Sequence, residues 1–193
     1  MKRLVTISTL MASMAFASAA FAAEGGDQPS TSTSTVGPMP VTGNVPAICS
    51  SGAISGGDNV FGVGVLIDTG TGLLLQNLTA PPKTIGASFC NSRSTITVSA
   101  TPLVAQNFTD TAPTNFSKSV DFTATASGWT DTAAVTNTGA AQNPNATQTR
   151  TTPFTGPITV TVSNFTTTGG SNLLMVADTN YQGTVTVTLA VAS

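Results

Sequence analysis

The last stretch of the chain alternates without a break: Thr184, Thr186, Thr188 and Ala190 interleave with Val185, Val187, Leu189 and Val191. A period of two marks a strand with one buried face, because successive side chains leave a pleated backbone on opposite sides. Thr and Val are β-branched and suit that surface. The pattern recurs. Ile158, Val160 and Val162 alternate with Thr159, Thr161 and Ser163, and Ser94 to Ala100 alternates so that Ile96 and Val98 face a core. Val120 to Ala126 repeats it and ends near Trp129.

Further strand-length segments are bounded by residues that break pairing. Val41 to Val45 alternates and leads to Cys49. Val60 to Ile67 is an apolar run interrupted by Gly62 and Gly64, followed by the turn sequence Asp68-Thr69-Gly70-Thr71-Gly72. Leu73 to Leu78 comes next and stops at Pro81-Pro82; Thr84 to Phe89 approaches Cys90, and Leu173 to Val176 follows the Gly169-Gly170 turn. Glycines supply the positive φ of tight turns, and proline cannot donate to a ladder. Asn137 to Thr152 is polar and predicts a long loop or a ragged edge hairpin. Eight to ten short strands, without a helical period beyond the N-terminus, predict a single all-β domain over 41–193, a β-sandwich. No fixed-period repeat points to a solenoid.

The N-terminus is different. Lys2 and Arg3 precede an apolar, small-residue stretch from Leu4 to about Ala19, and Ala20-Phe21-Ala22 places small residues where signal peptidase reads them. This is the layout of a secretory signal peptide, residues 1–22, with cleavage after Ala22. The stretch is too short and too rich in Ser, Thr and Ala for a stable membrane span. Export to the periplasm, the cell surface or the medium is the expectation. Residues 23–40, rich in Ser, Thr, Pro and Gly, hold too little apolar material to offset ordering entropy and predict a flexible tail.

Charge is scarce. Without Lys2 and Arg3, four cations (Lys83, Arg93, Lys118 and Arg150) face eight acids, a formal charge of −4. Four dispersed cations cannot release the counterions that drive nucleic-acid binding, nor form a polybasic membrane patch. Cys49 and Cys90 are the only cysteines. In an exported chain two cysteines predict one disulfide, closing a loop of about 42 residues worth roughly 4 kcal/mol in the chain-entropy description; two separate buried thiols are the alternative.

Histidine is absent. That removes the usual general base, the commonest metal ligand and the Ser-His and Cys-His nucleophile pairs together. Lys83 follows Pro81-Pro82 and Lys118 opens a strand, neither in a Ser-x-x-Lys arrangement. The aspartates are mostly isolated beside Gly, Asn or Thr, where they cap turns, rather than forming the carboxyl pair of a glycosidase. Asp58-Asn59 and Asp68-Thr69 carry oxygens of the kind Ca²⁺ takes, but without a loop that repeats them. No catalytic residue, metal or cofactor is expected. The five Asn-x-Ser/Thr sequons, at Asn77, Asn107, Asn115, Asn145 and Asn164, arise readily in so Thr-rich a chain. Trp129 is the one candidate for a ligand-binding platform, with core packing as the competing reading.

Val41-Thr42-Gly43-Asn44-Val45-Pro46-Ala47-Ile48-Cys49 resembles the first strand of chaperone–usher pilins and of the spore coat protein U group, where an alternating strand runs into the first cysteine. The second cysteine follows about forty residues later, as in Ser88-Phe89-Cys90-Asn91, and Tyr181 to Leu189 is similar to the closing strand of the spore coat group. The resemblance covers both ends of the domain and not residues 105 to 155. It implies an immunoglobulin-like sandwich whose disulfide ties the first strand to a neighbour. It also implies a pilin-like fimbrial or adhesive subunit, with identical or related subunits and a periplasmic chaperone as partners. Residues 23–40 lack the alternating large apolar side chains of a donated strand, and Ala190-Val191-Ala192-Ser193 stands where a penultimate tyrosine belongs. A self-complete sandwich is therefore an equal expectation, beside an exported module that binds a glycan or small ligand.

Overall fold

The computed structural model describes residues 36–192. The expected signal peptide, residues 1–22, lies outside the described residues, as do 23–35 of the tail and Ser193. The chain divides into two units, Met1–Gly43 and Asn44–Ser193. Of the first, residues 36–43 are described; they are exposed and belong to no strand.

The second unit is all-β. Its strands are β1 (Cys49–Ser50), β2 (Ile54–Ser55), β3 (Lys83–Cys90), β4 (Ser94–Ala105), β5 (Phe116–Ser117) and β6 (Ser119–Ser127). They continue with β7 (Ala134–Asn137), β8 (Thr147–Arg150), β9 (Phe154–Thr167), β10 (Leu174–Met175) and β11 (Tyr181–Val191). No helix among the described residues is long and apolar enough to cross a membrane.

Nine strands share one sheet in the order β1-β3-β9-β6-β4-β11, with β2 also on β3, β7 on β6 and β8 on β4. The sheet folds over at one corner. β4 joins β6 only at Leu103–Val120 and Val104–Ser119, then turns away to pair Ser94–Thr97 with β8. β6 in turn pairs Thr123–Ala126 with β7. Past the corner the two long strands face each other across a core, which is the predicted sandwich made from one bent sheet. β5 and β10 form a separate parallel pair.

The core collects the inward residues of the alternating segments: Ile96 and Val98 of β4, Val120, Ala124 and Ala126 of β6, and Ile158, Val160 and Val162 of β9. Where β6 meets β9 the register shifts between Asp121 and Thr123, so Asn164 and Phe165 together oppose Phe122. Asn164, at φ 52°, takes the left-handed backbone that such a bulge requires and asparagine tolerates. Asp121, on the opposite face of β6 from Val120 and Phe122, is covered by the turn at Thr138 and Gly139 and by Thr168. Its carboxyl oxygens accept from Thr138 Oγ1 at 3.0 Å and Thr168 Oγ1 at 2.7 Å, which satisfies a buried polar group.

Three expectations change. Val41 to Val45 is not a strand: Val41 is 99% exposed and pairing starts only at Cys49. Leu73 to Leu78 contributes a single bridge, Ile67 to Leu74. The polar stretch 137–152 is not all loop: Thr147–Arg150 forms β8, and residues 138–146 connect it to β7, the two strands pairing with different partners.

Candidate functional site

The two cysteines stand directly opposite each other in the β1–β3 ladder and form a disulfide. β1 is two residues long and needs the staple. Asn91 adds to it: its side chain accepts from the Ile48 amide and donates to the Pro46 carbonyl, at 2.8 and 2.9 Å. On the same side, the β1–β2 turn lies so close to β3 that Gly52 has no room for a Cβ, which would fall on the Gly86 carbonyl.

Trp129 is 0% exposed. Its Nε1–H donates to Ser94 Oγ at 3.1 Å, and its ring meets Phe154 edge-on at 5.1 Å. Arg150 lies over the other aromatic, 3.8 Å from the Phe154 centroid, and donates from Nη1 to the Trp129 carbonyl. The indole thus sits in the core, with no face open for a sugar to stack on.

The carboxylates are tied to their own loops. Asp68 accepts from the Thr71 and Gly70 amides and the Thr71 hydroxyl, which hold its carboxyl below the usual range. Partial desolvation pushes Asp178 up. The Asn180 and Asn107 amides, the Asn107 side chain and the Phe108 amide outweigh that effect and leave it below the usual range. Asn107, a sequon residue, is thereby committed to a loop clamp. Lys83 is buried at the edge of β3, where its Nζ donates to the Gly56 carbonyl at 2.8 Å and pairs with the exposed Asp58 at 3.5 Å. Among the described residues, no three His, Cys, Asp or Glu side chains stand close enough to hold a metal ion.

What the fold leaves open is the far end of the sheet. β11 pairs with β4 along its whole length, from Tyr181–Ala105 to Val191–Ser94, and with no other strand among the described residues. Its eleven residues include no charge and no proline. Every second residue of such an edge strand turns its N–H and C=O away from the sheet, a template for another strand. Thr184, Thr186 and Thr188 are exposed on the outer face, and Val185, Val187 and Leu189 are half-buried on the inner one.

Beside this edge runs an apolar groove. Leu103, Phe122, Val162, Phe165 and Val185 contribute to its walls, and residues 59–66 lie across it. Two cavities of ≈ 930 and ≈ 560 Å³ remain there, sharing Phe61, Val63, Leu103 and Tyr181 as walls. Burial, with Asp178 nearby, raises the Tyr181 phenol above its ordinary pKa, and its hydroxyl donates to the Val176 carbonyl at 2.8 Å. Sequence reasoning located the strand but not its open side, which depends on pairings far away in the chain. No family model, curated protein or solved structure matches this chain.

Proposed function

We propose that this chain is an exported structural or adhesive subunit, pilin-like in role, which associates with other subunits through the open edge of β11 and catalyses no reaction. One observation carries the reading: an eleven-residue, charge-free and proline-free edge strand beside an apolar groove. Edge strands in soluble proteins are usually shortened, charged or covered because they template pairing; β11 is long and charge-free, and among the described residues its one ladder partner is β4, with the two-residue β1 lying nearby. A strand added there would satisfy the outward backbone groups and could send alternate side chains into the groove.

Residence outside the cytoplasm is supported by the disulfide, which persists in oxidising compartments, and by the signal-peptide pattern of residues 1–22. The lack of histidine, with aspartates spent on turns and clamps, supports a non-catalytic role. The ≈ 930 Å³ cavity favours one other reading, a small apolar ligand held beside β11; a glycan has no aromatic platform at Trp129.

The test is electron microscopy and light scattering of the purified full chain, with Thr188→Lys as the edge-blocking variant. Dimers or larger oligomers in the wild type, lost on placing a charge at mid-edge, are expected. A wild type that stays monomeric at high concentration overturns the reading.

A further inference from the structure

Residues 59–66 are held in an unusual way. No backbone group from Asn59 to Val65 hydrogen-bonds to another described residue, although the stretch is as long as a strand. Its hold on the protein comes from side chains. Phe61, Val63 and Leu66 pack against the core, while Val60 and Val65 are exposed, Val65 by 68%. The inward alternation slips at Gly64, whose φ of 78° turns the chain over. Packing is incomplete, since the two groove cavities flank Phe61 and Val63.

Both ends of the segment are fastened. Upstream, Gly56 and Gly57 lie at φ 105° and 94°, and the Gly56 carbonyl is gripped by the buried Lys83. Downstream, Ile67 bridges Leu74, the Leu75 amide donates to the Leu66 carbonyl, and Asp68 locks the turn that follows. Fixed ends, a middle without ladder bonds and a loosely filled groove beneath describe a strap that can lift without unfolding the sheet. A β-strand in the same place would have to break its ladder first.

We propose that Asn59–Leu66 is a removable cover, an autoinhibitory contact that fills the groove beside β11 from within the same chain and keeps the subunit unassembled until it lifts. The proposal rests on the edge-assembly reading for what lifting achieves, and on the segment's own contacts for the cover itself. Lifting uncovers Leu103, Phe122, Val162 and Phe165 next to the N–H and C=O groups of β11, so a single motion adds an apolar floor to a strand template that is already open. The segment governs how fast subunits associate, and the edge governs whether they can.

Two variants of the full chain move the cover in opposite directions. Phe61→Ala/Val63→Ala removes the side chains that hold it down. Gly62→Ala stiffens it: a Cβ at Gly62 meets nothing within 4 Å and its φ is not positive, so the substitution restricts mainly the lifted state. An apolar reporter dye such as anilinonaphthalene sulfonate reads the exposed floor without reference to assembly. Light scattering reads the lag before association.

The double variant should raise dye fluorescence several-fold with an unchanged far-ultraviolet circular dichroism spectrum, and shorten the lag at least tenfold. Gly62→Ala should lower dye binding and lengthen the lag by about two- to fivefold. A synthetic peptide of residues 59–67, added to the double variant, should restore the wild-type lag. Dye binding equal to wild type in both variants overturns the cover. A double variant that loses its β spectrum also overturns it, since the segment would then be a structural staple. If the dye responds as expected while no variant associates, the cover stands and the edge-assembly reading falls.

Discussion

Replacing Gly52 by alanine would set a methyl group on the Gly86 carbonyl oxygen, well inside van der Waals contact and against backbone that no rotamer change can move. The β1–β2 turn must therefore lift off β3. Five hydrogen-bonding features hold it there: the Gly52 amide on Ser88 Oγ at 3.2 Å, the Gly86 amide on the Ala53 carbonyl at 2.9 Å, the Ser55 hydroxyl on the Thr84 carbonyl at 3.2 Å, and the Ile54–Ile85 and Ser55–Thr84 pairings. Losing two to four such bonds, at about 0.5–1.5 kcal/mol each, predicts a loss of about 2–4 kcal/mol. The loss has a ceiling, because the disulfide keeps Cys49 on β3 and the remaining strands do not depend on the turn. Urea unfolding followed by circular dichroism would read this as a midpoint lower by about 1–2 M for a slope of about 2 kcal/mol/M. Gly43→Ala, with nothing within 4 Å of the added atom, is the matched control and should leave the midpoint unchanged. A Gly52→Ala midpoint within about 0.2 M of wild type, on the same slope, would refute the close approach of turn and strand.

Ala87 is exposed and held at φ 56° in the β3 bulge, where L residues other than Gly and Asn are strained; Ala87→Gly should stabilise the fold by about 0.5–1 kcal/mol in the same assay, after the entropy glycine adds to the unfolded chain. The pH profile should be flat across neutrality, since no histidine titrates there. Asp68 and Asp178 are lowered in the fold, so their stabilisation is present above the unfolded carboxylate pKa, near 3.9, and is lost as pH falls through the folded values. Tyr181 is raised, so its contribution is full below the unfolded phenol pKa, near 10, and is lost as pH rises toward the folded value. Thermal melts from pH 2 to 11 would show both shoulders; Asp178→Asn should shrink the acid one.

The long strands were legible because local pattern and global pairing agree in them. β4, β6, β9 and β11 each alternate over residues that also find a partner along their length. Val41 to Val45 alternates equally well and is solvated, because a period of two says a strand could form and not that another strand lies alongside. Val60 to Ile67 fails differently: its apolar content does earn burial for Phe61 and Val63, but Gly64 turns the backbone over and no ladder forms. The disulfide followed from cysteine count and compartment, whereas Trp129 left two readings open until Ser94, Phe154 and Arg150 were seen to enclose it. The open edge was beyond reach, since it is decided by where β1 and β11 fall in the strand order rather than by the residues within either.

That strand order has a consequence for stoichiometry. The path begins at a strand of two residues fixed by a covalent staple and finishes at one of eleven with a single ladder partner among the described residues. A body with a single adherent side can join its twin face to face and then has nothing left to offer, so growth would halt at two. Unlimited linear growth demands that each copy lend a different, extended piece of itself to the neighbour's long strand. Counting subunits by mass photometry as concentration rises would therefore distinguish a closed pair from an open-ended polymer.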